Sequence, residues 1–120
     1  MLKIKIGEQK PINYTLKVKS TNLPINLVNS TIIFQLKEDE NQISDFLIEK
    51  TITEGSNPYD AGQIFDAQNG RFSVFLKSED TLSLDINKEY FYTIWRVYEN
   101  TREVISSSGA KVEQFVVCPA

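Results

Sequence analysis

The chain has 120 residues and a net charge of −3, from 13 lysines and arginines against 16 aspartates and glutamates. A chain of this length suits one domain, and it buries enough surface on folding to need neither disulfide nor metal. Its 41% hydrophobic and 24% charged residues match an ordinary globular protein and exclude disorder. The basic residues never form a block that could neutralise a phosphate backbone.

Alternation of apolar and polar residues dominates from the start. Leu2, Ile4 and Ile6 alternate with lysines, so no continuous apolar stretch forms a signal peptide, and synthesis in the cytoplasm is expected. No apolar run reaches the length of a bilayer-spanning helix. Ile12, Tyr14, Leu16 and Val18 predict a second strand, which Leu23-Pro24-Ile25 interrupts because proline cannot donate to a ladder. Ile32, Phe34 and Leu36 share a parity, as do Phe46, Ile48 and Ile52 after the polar connection Glu38-Asp39-Glu40-Asn41. Glu54-Gly55-Ser56-Asn57-Pro58 opens an irregular stretch expected to run to about Asp66. Asn69-Gly70 predicts a tight turn in which both residues tolerate positive φ. Phe72, Val74 and Leu76 predict another one-sided strand, and Ser78 to Leu82 one short helical turn capped by Ser78. Glu99 to Arg102 reads as a hairpin loop and Ser107-Ser108-Gly109 as a turn. Short strands separated by turn residues predict a β-sandwich or barrel.

The run Glu89 to Tyr98 holds the most aromatics. Leu82 to Tyr90 resembles the lead-in to a tyrosine corner, in which a tyrosine hydroxyl bonds back to upstream backbone. Tyr90 as that corner turns Tyr90, Tyr92 and Ile94 inward. Phe91, Trp95 and Val97 then face outward, covered either by an edge loop or the N-terminal strand, or by a partner.

Catalytic signatures are scarce. The chain has no histidine, which removes the commonest general base, the histidine-activated nucleophiles and most zinc sites. The one cysteine, Cys118, is expected to be a free thiol in a frayed terminus. The glycines form no phosphate loop. Asp60 and Asp66, or Glu38, Asp39, Glu40 and Asp45, offer oxygen ligands for calcium but lack EF-hand spacing, and solvated loops are the expected reading. Tyr59, and Trp95 if exposed, could stack on sugars. The sequons Asn13-Tyr14-Thr15 and Asn29-Ser30-Thr31 are read as chance, with no secretory signal. No enzymatic activity, cofactor or metal is expected.

Several stretches carry a family resemblance: Leu23-Pro24-Ile25-Asn26-Leu27-Val28-Asn29-Ser30 with the strand to Lys37, Asn69-Gly70 with the strand to Leu76, Asp80-Thr81, Tyr90 to Ile94, the hairpin Glu99 to Arg102, and Val112 to Val117. In this order they resemble the N-terminal immunoglobulin-like domain of phage baseplate upper proteins. Asn26 stands where that family often has aspartate, and Lys88-Glu89 replaces a glycine before the tyrosine. The resemblance implies an all-β, immunoglobulin-like antiparallel β-sandwich of about seven to nine strands, with residues 1–120 forming a single domain. It implies a non-catalytic phage or prophage structural module of the tail or baseplate, and both a stand-alone relative and a fragment of a longer protein fit that expectation. Such a module would bind another phage structural protein, or a second copy, through a strand face or edge, with Phe91, Trp95 and Val97 as the candidate interface. No nucleic-acid or membrane partner is expected. The competing expectation is a β-sandwich that binds host cell-surface carbohydrate.

Overall fold

The computed structural model describes residues 2–18, 20–105 and 113–119. Among these lie nine strands: β1 (Leu2–Lys5), β2 (Lys10–Thr15), β3 (Ser30–Lys37), β4 (Ile48–Ile52), β5 (Gly62–Asp66), β6 (Arg71–Leu76), β7 (Glu89–Tyr98), β8 (Thr101–Ile105) and β9 (Glu113–Cys118). One α-helical turn, α1 (Ser78–Leu82), follows β6. The strands form two sheets, one ordered β1-β9-β7-β3-β4 with β8 also on β7, the other β2-β6-β5. The protein is therefore an all-β sandwich.

Both sheets obey the alternation of the sequence. Ile32, Phe34 and Leu36 of β3, Tyr90, Tyr92 and Ile94 of β7, and Phe72, Val74 and Leu76 of β6 all enter one core. Phe34 stacks on Tyr92 with ring centroids 5.4 Å apart, and Tyr14 on Phe72 at 5.2 Å. Each large apolar side chain buried this way stabilises by roughly 1.5–3 kcal/mol. Among the described residues no helix is long and apolar enough to cross a membrane.

Every strand pair is antiparallel except β1 with β9, where Leu2 to Lys5 run parallel to Phe115 to Cys118. The expected antiparallel sandwich thus forms among the described residues, with this one parallel edge pair added. Gly7, at φ +74, turns the chain after β1, so β1 and β2 enter opposite sheets. β8 and β9 share one edge of β7: β8 pairs with Ile94 to Tyr98, β9 with Glu89 to Tyr92.

The tyrosine corner forms as the sequence predicts. The Asp85 N–H donates to the Tyr90 hydroxyl at 2.8 Å, and two residues on the Asn87 N–H donates to the Val117 carbonyl at 2.8 Å. These bonds tie the α1–β7 connection to β9 and fix the inward parity of β7.

Other expectations change. The irregular stretch ends earlier than expected, because Gly62 to Asp66 form β5. Its brevity, the glycine at its start and a bulge between Ile64 and Asp66 mask this strand in the sequence. At Asn69-Gly70 only Gly70 has positive φ, because Asn69 ends a short 3₁₀ turn, Ala67–Asn69, that Gly70 closes. Ser78 starts α1 but does not cap it. The cap residue is Lys77, whose N–H donates to the Asp80 carboxylate at 2.8 Å, and an acceptor inside the first turn serves in place of a serine hydroxyl. Cys118 is not frayed: it sits in β9 beside Lys5, and its carbonyl accepts the Ile6 N–H at 2.9 Å. The expected turn at Ser107-Ser108-Gly109 and the start of the last strand at Val112 lie outside the described residues.

Candidate functional site

The parity set by Tyr90 places Phe91, Trp95 and Val97 on the outer face of the larger sheet, as expected. All three are half-buried. Register brings further apolar side chains beside them: Ile33 of β3 and Val104 of β8 both pair with Trp95, from opposite sides. A strip of Ile33, Phe91, Trp95, Val97 and Val104 thus crosses three adjacent strands on a face that a wet sheet would fill with polar residues.

Trp95 is held in place. Its indole N–H donates to Gln35 Oε1 at 3.0 Å, and the Gln35 amide donates to Glu49 Oε2 at 2.8 Å. The Arg102 guanidinium lies 4.3 Å from the centre of the indole ring, a cation–π contact. Trp95 stands out in the sequence but this relay does not, since it joins β7, β3, β4 and β8 through pairings that only the register reveals. Beside it Thr93 is 3% exposed, and its hydroxyl has no hydrogen-bond partner among the described residues.

Lys37 lies on the same face, opposite Phe91, and is 8% exposed. Burial holds its ammonium below the ordinary lysine range. A buried lysine with lowered affinity for its proton makes folding less favourable while it is charged. The unfolded chain binds that proton more tightly, so this contribution improves as pH rises from the depressed value toward the ordinary lysine value. Lys37→Met is therefore expected to raise the melting temperature at neutral pH. Its advantage over the native protein should shrink as pH rises from neutral toward the ordinary lysine value of about 10.5. Thermal melts of both proteins across that range check this, and a constant difference contradicts it.

No protein-family model matches the chain, and no curated protein matches it significantly. The functional reading therefore rests on the residues and their geometry.

Among the described residues no three histidine, cysteine, aspartate or glutamate side chains converge as a metal site. The acidic loops noted in the sequence carry cationic neighbours instead. Asp60 pairs with Lys77, Asp66 with Arg71 at 3.9 Å and Glu38 with Lys88. The Lys77 ammonium beside Asp60 holds that carboxyl below the usual carboxylate range.

The smaller sheet has a different outer face. Tyr59, 76% exposed, stands edge-on to Phe75, with ring centroids 6.0 Å apart and planes at 86°. Phe75 is only 6% exposed, although it points away from the core, while Phe65 on the bulge is 50% exposed. Together with Pro11, Pro58, Asn13, Gln63 and Ser73 they line a shallow groove of about 310 Å³. The sequence alone singles out Tyr59. Phe75 is legible as the aromatic of opposite parity in Arg71 to Leu76, but Phe65 lies in the stretch expected to be irregular.

Proposed function

We propose that the chain is a non-catalytic interaction module of a phage or prophage virion, in the tail or baseplate, which binds another structural protein through the outer face of β7. The observation that carries this reading is the apolar strip Ile33, Phe91, Trp95, Val97 and Val104 on an outward sheet face. Protein interfaces favour aromatic and apolar centres with arginine at hand, and Trp95 under Arg102 supplies both. The family resemblance supports the tail assignment. The absence of histidine from the sequence supports a binding role over acid–base chemistry.

The experiment is incorporation. Val97→Lys and Phe91→Lys place a charge on the strip without touching the core. Each is expected to keep the native circular dichroism spectrum while losing co-purification with tail or baseplate proteins. Light scattering on the native chain then distinguishes a second copy from a different partner. Folded variants that still incorporate at the native level would sink the proposal.

A further inference from the structure

We propose that the groove on the outer face of the β2-β6-β5 sheet is a binding site for a neutral saccharide. It lies on the other sheet from the β7 strip and does not rest on the tail assignment. Among the described residues the groove has no charged lining side chain, in a chain that is 24% charged. A neutral lining suits a neutral ligand and is unsuited to nucleic acid, which demands lysines and arginines. At about 310 Å³ the groove matches a small-molecule site of roughly 300–1,000 Å³ and holds one or two sugar rings. A stable protein interface needs about 800 Å² per partner, more than this hollow offers.

The chemistry is two-sided, as a sugar is. Tyr59 and Phe65 present rings for the C–H face of a pyranose. The Asn13 side chain makes no hydrogen bond among the described residues, and the Gln63 amide nitrogen donates to the Glu54 carbonyl at 2.9 Å, leaving its oxygen to accept from hydroxyls.

Tyr59 is also pre-positioned. Its N–H donates to Asn57 Oδ1 at 2.9 Å, and the Ser56 hydroxyl donates to the Gly62 carbonyl at 2.7 Å. The neighbouring Asp60 is anchored to Lys77. An exposed aromatic on a pinned loop binds with little ordering cost.

The test is titration of the ¹⁵N-labelled chain with cellobiose, maltose, lactose and N,N′-diacetylchitobiose, each at a concentration on the order of 10 mM. At least one is expected to shift amides of Tyr59, Gln63, Phe65 and Phe75. Tyr59→Ala, at a surface position that leaves the core intact, is expected to weaken that binding about tenfold. No shift with any of the four, shifts away from the groove, or unchanged affinity in Tyr59→Ala would each overturn the proposal. So would a proline-rich decapeptide that shifts the groove where the sugars do not.

Discussion

Gly62→Ala is expected to destabilise the protein by roughly 3–5 kcal/mol, a large fraction of the stability of a small domain. A Cβ at position 62 would lie 2.0 Å from the Ser73 carbonyl oxygen, 2.8 Å from the Ser73 carbonyl carbon and 3.0 Å from the Val74 Cα. All three are backbone atoms of β6, the middle strand of its sheet, so no side chain can swing aside. Gly62 also has φ +118, a conformation that side chains rarely adopt, so the strain would remain even with space made. The damage would spread to the groove, since the Gly62 carbonyl accepts the Ser56 hydroxyl that helps pin the Tyr59 loop. Gly55→Ala is the matched control. A methyl group at position 55 would meet nothing within 4 Å, and a change within about 0.5 kcal/mol is expected. Denaturant unfolding of the two variants reads the difference, and a Gly62→Ala protein within about 1 kcal/mol of native contradicts it.

Gly62 also shows where the sequence stops being legible. Strands that bury one face in the core announce themselves by parity, as Ile32-Phe34-Leu36 and Phe72-Val74-Leu76 do. The inward parity of β7 follows from one local motif, because the bond from the Asp85 N–H to the Tyr90 hydroxyl links residues only five apart. β5 carries no such signal. It has one fully inward side chain, Ile64, a glycine where another strand crowds it and a bulge where its register slips. Its strand character comes from β6, a non-local partner, and non-local pairing leaves little trace in a short window. The same holds for both candidate faces. Trp95 is visible as a residue, but its clamp of Gln35, Glu49 and Arg102 depends on register between strands up to 60 residues apart. Tyr59 is visible as an aromatic on a loop, but Phe75 and Phe65 reach it only once β5 and β6 pair. Lysine at position 50 shares its parity with Ile48 and Ile52, and pattern alone offers no reason for a charge to face inward there.

That reason is Asp80, and Asp80→Ala is expected to cost about 3–5 kcal/mol. Lys50 Nζ meets Asp80 Oδ2 at 2.8 Å, with the two side chains only 10% and 16% exposed, and it also donates to the Asp60 carbonyl at 3.4 Å. The same Asp80 oxygen accepts the Lys77 N–H that opens α1. Removing the carboxylate leaves an ammonium largely out of water with one long hydrogen bond, and it uncaps α1 at a cost of about 1 kcal/mol within that total. Asp80→Asn separates the two effects. An amide oxygen can still accept from Lys77, so the loss should be smaller and should come mainly from the uncompensated lysine. The double replacement Lys50→Met with Asp80→Leu removes both charges, and it should recover most of the stability lost in Asp80→Ala, because an apolar pair of similar volume often substitutes for a buried ion pair. A double-mutant cycle on the denaturation midpoints measures this coupling directly. Additive single losses would mean that Lys50 reaches water on its own. In that case the link from β4 to α1 would be a surface contact, worth at most about 1 kcal/mol.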